Sequence, residues 1–240
     1  MFFYFEYWGL EGGNVEFLIK VFVSVLGFTI GDYVSVFGTE IPLVNKGNGL
    51  YKLEDGFYAY RGLHPDNYIY FNNELWRIMS FNDNFVKIVK NESLGDMAFD
   101  VDGSNVWEES SLKEYLKSYY DKIDSKYKSF VYGGIEVMNI DDYLMSNSNF
   151  EFCGSLNLYF KNDERCFKTS YINDIVKGSK NGAAWTLTKD EDTVFYVGNT
   201  YFNDIRSSDS NFGVLPVLSL DRNIELYGKG TLQYPYKIKN

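Results

Sequence analysis

The clearest run of strand-like hydrophobic patterning lies between Tyr68 and Lys90, in YIYFNNELWRIMSFNDNFVKIVK. It predicts three strands joined by turns at Asn72-Asn73 and at Asn82-Asp83-Asn84. Asn and Asp accept positive φ and hydrogen-bond their own backbone, which is why they punctuate hairpins. In the middle run Trp76 and Ile78 fall on one face, and Leu75, Met79 and Phe81 on the other. A strand apolar on both faces is normally covered on both, so this one is expected at the centre of a sheet.

Short strand-like pieces precede it at Leu50–Leu53 and Phe57–Arg61, and Asn91–Asn105 after it reads as a polar loop. Ser110-Ser111-Leu112-Lys113-Glu114 then opens the best helix, with Ser111 and Glu114 spaced as a capping box. Leu112, Tyr115, Leu116, Tyr119 and Ile123 recur at helical spacing and give it one buried face, with Trp107 placed to pack beneath its start. Ile135–Met138 reads as a strand, and a short helix follows with Asn139 as cap and Asp141 and Asp142 in its first turn. Adjacent helical residues point about 100° apart, so those two carboxylates cannot face each other as an acid/base pair.

Further strands are expected at Gly182–Thr188, Val194–Val197, Phe212–Leu220 and near Tyr234–Ile238, Pro216 marking an edge or a bulge in the third. No repeat or linker divides residues 36–240, so the chain reads as a single α+β domain, mostly antiparallel sheet with a few short helices. Trp76, Ile78, Val86, Ile88, Leu112, Leu116, Trp185, Leu187, Val214 and Leu218 are expected to form one core.

Residues 1–35 form a separate apolar N-terminal segment. Within it Val15–Ile30 is an apolar run of about 16 residues, short for a membrane-spanning helix and nearer a signal-peptide core. Three readings stand for the segment: a signal, the remnant of an anchor that associates with a membrane, or upstream sequence read in frame ahead of a true start at Val15. Gly27-Phe28-Thr29-Ile30-Gly31-Asp32 matches a type IV prepilin cleavage pattern, but apolar residues precede it where a basic leader belongs.

Composition sharpens this picture in two ways. With 20 Phe and 21 Tyr, the chain leans away from an all-helical fold and has ample material for a core. The net charge of −10, with no basic stripe, repels phosphate backbones and argues against nucleic acid as a partner. The carboxylates are scattered and lack calcium-loop spacing, so no metal site and no cofactor are expected.

Cys153 and Cys166 lie in a polar segment, at neither redox nor zinc spacing. A disulfide is the favoured reading and requires export; two unrelated thiols are the alternative. His64, the one histidine, sits in a His-Pro-Asp turn with no GxSxG sequence nearby, so no catalytic residue is assigned.

Several segments, in order, resemble an uncharacterised family of Gram-positive bacterial surface-associated proteins. They are NYIYFNNELWRIMSF, the Trp107–Tyr120 stretch, IEVMNIDDYLMSN, the Cys153/Cys166 pair, AAWTLT, FGVLPVLSL and GKGTLQYPYKI, together spanning about Asp66 to Ile238. The resemblance implies a surface location and a fold related to C-type lectins and the formylglycine-generating enzyme, without a known activity. Leu215 stands where the family usually has Arg.

The reading that results is a non-catalytic secreted or surface-displayed binding module, its partner a protein or glycan at the cell surface. The alternative is a structural part of a pilus or envelope assembly, and an enzyme is the least favoured class. The wealth of Tyr, Trp and Asn fits recognition, since aromatic faces and amide hydrogen bonds serve it.

Overall fold

The computed structural model describes residues 32–154, 164–166, 168–199 and 202–239. Residues 1–31 of the N-terminal segment, and the prepilin-like pattern apart from Asp32, lie outside these, whereas Tyr33–Ser35 of that segment belong to a strand of the folded unit. Tyr33–Asn240 is one compact α+β unit built on mostly antiparallel sheets.

The expected meander is present as β5 (Tyr68–Phe71), β6 (Glu74–Phe81) and β7 (Phe85–Lys90). Asn72 and Asn73 both have positive φ, 51° and 60°, as a two-residue turn between strands of right-handed twist requires. At the next turn the Asn82 side chain accepts from the backbone N–H groups of Asn84 and Phe85, at 2.8 and 3.1 Å. β6 is central: it pairs with β5, β7 and β4 (Tyr58–Arg61), and β4 pairs with β3 (Gly49–Lys52). The sheet continues through β14 (Val217–Asp221) to β9 (Val131–Glu136) on one side, and through β16 (Tyr236–Ile238) to β15 (Leu226–Tyr227) on the other.

A register shift between Ile78 and Ser80 changes which face Phe81 occupies. Ile78 lies opposite Ile88 and Phe81 opposite Val86, so Phe81 joins Trp76 and Ile78 instead of opposing them. One extra residue in the strand reverses the side-chain alternation beyond it, which strict alternation cannot foresee. The other face carries Arg77 and Ser80 on β6 and Lys87 on β7.

A second sheet of five strands runs β12 (Phe202–Ile205), β11 (Thr193–Gly198), β10 (Ala183–Asp190), β13 (Phe212–Gly213) and β8 (Asp96–Met97). β13 and β14 therefore belong to different sheets, and the stretch expected as one strand from Phe212 to Leu220 is broken at Leu215-Pro216. Pro216 is neither an edge residue nor a bulge. It sits in the crossover, where its missing N–H costs no ladder bond and its carbonyl still accepts from Lys90 N at 2.9 Å. Leu43–Leu50 and Gly62–Ser170 add isolated bridges, and β1 (Tyr33–Val36) and β2 (Thr39–Pro42) form a hairpin.

Two sheets make two apolar clusters, not the one expected. Trp76, Ile78, Val86, Ile88 and Leu218 lie in the larger cluster. Leu112, Leu116, Trp185 and Val214 lie in the smaller, with Leu187 packed against it and Phe99 fully buried at its centre. Phe99 falls in the stretch expected as a polar loop; so does β8.

Five short helices occur among the described residues: α1 (Ser111–Tyr120), α2 (Ser125–Lys128), α3 (Ile140–Met145), α4 (Phe150–Cys153) and α5 (Tyr171–Val176). In α1 the cap is Ser110, whose side chain accepts from Lys113 N at 3.2 Å. Ser111 instead donates from Oγ to Asp100 at 2.9 Å, so the expected Ser111/Glu114 box is absent. Leu112 and Leu116 are buried as expected, whereas Tyr115 is exposed. α3 does have a capping box, Asn139 with Asp142, and Asp142 also pairs with Lys87 at 3.1 Å. The strand before it spans Val131–Glu136, earlier than the predicted Ile135–Met138, and Val137 and Met138 are buried beyond its end.

Candidate functional site

A disulfide joins Cys153, at the end of α4, to Cys166 in the 3-10 turn Glu164–Cys166, with Cα atoms 5.6 Å apart. The Cys166 carbonyl accepts from Thr169 Oγ1 at 2.9 Å, and Thr169 O accepts from Ser148 N at 2.9 Å. The crosslinked segment is thus tied to the start of α5. Ser170 caps that helix, and Tyr171 N donates to Gly62 O at 2.7 Å. Gly62 has φ +102°, and a Cβ there would lie 2.8 Å from Asn48 Cα, so its packing against Asn48 needs glycine.

This anchoring places α5 over the turn that precedes β5 and shapes a cleft of about 470 Å3. Leu63 and His64 from the turn, Tyr68 and Arg77 from β5 and β6, Asn91–Ser93 after β7, and Asp174, Ile175 and Gly178 from α5 and its end line it. Tyr68 and Arg77 are register partners, so they stand side by side on one sheet face.

Arg77 is 4% exposed. Its guanidinium lies 3.8 Å from the Tyr68 ring centre and 4.8 Å from that of Tyr171. Nε donates to Asn67 Oδ1, and Nη2 donates to Pro65 O at 3.2 Å. Among the described residues no carboxylate pairs with it; Asp174 and Asp66 act from beyond ion-pair distance. Burial lowers its pKa, opposed by Tyr68, Tyr171 and these carboxylates.

His64 is exposed, its Nδ1 3.9 Å from Asp174 Oδ2, and Asp174 also pairs with Lys177. Ser93 shares the cleft, so a serine, a histidine and an aspartate meet there, which the sequence does not reveal. The Ser93 hydroxyl is committed to backbone: it donates to Gly95 O at 2.9 Å and accepts from Val214 N at 3.0 Å and Gly95 N at 3.2 Å. A nucleophilic serine must give its proton to the base, and here no Ser93–His64 hydrogen bond exists among the described residues. Asp141 and Asp142 lie elsewhere, on α3.

A second surface lies at the β15–β16–β5 end of the large sheet. Tyr227 is opposite Lys237, and Lys237 opposite Tyr70, giving a cross-strand row of tyrosine, lysine and tyrosine. Tyr70 is 40% exposed and Tyr227 51%. They border a hollow of about 240 Å3 together with Asn73, Tyr127 and Phe130.

Among the described residues no group of three or more His, Cys, Asp or Glu side chains is placed to hold a metal ion, and no helix is long and apolar enough to cross a membrane. No family model matches the chain, and neither does any curated protein or solved structure.

Proposed function

We propose that the chain is a non-catalytic binding module, secreted or displayed on the cell surface, whose partner there is a protein or a glycan. The observation that carries this reading is the Cys153–Cys166 crosslink, since disulfides persist in oxidising compartments. The exposed Tyr70–Lys237–Tyr227 row supports the binding half: flat aromatic faces beside a cation suit sugar rings and peptide surfaces. The resemblance to surface-associated proteins, and through it to the C-type-lectin superfold, belongs to the same proposal.

Intact mass with and without thiol alkylation, on protein purified from its own host, tests the location. A bonded cysteine pair is expected, and two alkylatable thiols would remove the argument for export. Glycan and surface-protein arrays then test binding. Tyr70→Ala with Tyr227→Ala should abolish the signal and leave the melting temperature close to wild type, while His64→Ala should leave it intact.

A further inference from the structure

The cleft beside α5 has a charge layout that selects a ligand class. A nearly buried cation, Arg77, lines it, with two of its five N–H groups taken by Asn67 and Pro65. Nη1 has no hydrogen-bond partner among the described residues, and Arg77 lines the cleft. A buried guanidinium without a carboxylate is an incomplete arrangement, because a desolvated charge is stabilised chiefly by an opposite one. The planar fork of N–H groups matches a carboxylate.

The rim has the opposite sign. Glu92 is exposed and has no ion pair among the described residues, and Asp174, itself paired with Lys177, shares the opening. A bare anion would be repelled by these two on its way to Arg77, and a bare cation would be repelled by Arg77. A ligand carrying both charges, anion leading and cation trailing, meets neither penalty. The volume, about 470 Å3, falls within the roughly 300–1,000 Å3 usual for small-molecule sites.

We propose that this cleft binds a small zwitterion of the α-amino-acid type, its carboxylate on Arg77 and its ammonium facing Glu92 and Asp174. The proposal deepens the binding-module reading by naming a ligand class for one site. It is tested by calorimetric titration of the full, oxidised chain with the free α-amino acids, their N-acetyl derivatives and their methyl esters. At least one amino acid should bind, and its N-acetyl and ester forms, each lacking one charge, should bind weaker by about tenfold or more.

Glu92→Gln with Asp174→Asn, both on the surface, should weaken the amino acid similarly and leave the N-acetyl form unaffected or improved. Arg77→Lys, checked for an unchanged near-UV spectrum, should weaken all carboxylate ligands. Failure of every amino acid to bind overturns the proposal, as does equal binding of the derivatives, or affinity indifferent to the rim substitutions. A glycan or protein partner found on the arrays alongside a silent titration would sink this ligand class alone; silence in both would sink the binding-module reading as well.

Discussion

Asp100 shows how much one side chain can organise. It is 3% exposed, and its carboxylate accepts from the backbone N–H groups of Asp102, Ser104 and Ser111 and from the Ser111 hydroxyl, at 2.8 to 3.1 Å. Burial pushes its pKa up, but these hydrogen bonds outweigh burial and hold it below the usual carboxylate value. A depressed acid stabilises the fold above its unfolded pKa, and that contribution fades as pH falls through the folded one. Asp100→Ala should therefore cost about 1–3 kcal/mol in urea unfolding at pH 7, with the gap to wild type closing below about pH 4.

Glu136 has the opposite sign. Burial raises its pKa, Lys87 lowers it and Asp142 raises it again, with a net rise. Its ionised form is the disfavoured one in the folded state, so the penalty applies above the folded pKa and vanishes in acid. Glu136→Gln should melt higher than wild type at pH 7 and together with it below about pH 4. Equal melting at pH 7 would contradict this.

At the scale of elements, the α1 cap separates two registers that differ by one residue. Ser110→Ala removes the acceptor for Lys113 N and should cost about 1 kcal/mol, whereas Glu114→Ala should stay within about 0.5 kcal/mol. Thermal melts of the two variants decide between the observed cap and a Ser111/Glu114 box. β6 is the element on which most of the large sheet depends, since three strands pair with it and Trp76 within it is fully buried. Trp76→Ala should cost roughly 3–5 kcal/mol, a large share of the stability of an ordinary domain. A Trp76→Ala protein that unfolds at the wild-type urea midpoint would show that β6 is not that support.

For the whole molecule, the disulfide ties α4 to the start of α5 and so bears on both stability and the cleft. Closing a loop of this length contributes about 3 kcal/mol in the chain-entropy model. Reduction with alkylation should lower the unfolding free energy measured in urea by about that much and move the midpoint down, and an unmoved midpoint would mean the crosslink constrains little. The passage of the chain from one sheet to the other at Leu215-Pro216 is likewise a property of the assembled chain.

What depends on neighbours a few residues apart was legible from the order of residues alone. Asn72-Asn73 specified a turn because both positions need positive φ, and the apolar runs around it specified strands. Asn139 announced the helix it caps for the same local reason, and the α+β class followed from the mixture of such elements. What depends on partners distant in the chain emerged only with the folded arrangement. The register shift that moves Phe81 to the Trp76 face arises only from pairing with β7, and the division of one expected core into two follows from strands joining separate sheets. Hydrogen bonding to Asp100 likewise drew Ser111 away from the capping box its spacing suggested. The cleft gathers residues from 63 to 178, and Arg77 reads in sequence as an ordinary polar position in a strand. Its burial against Tyr171 exists only once α5 has folded over it, because burial and charge pairing are properties of surroundings in space and not of order along the chain.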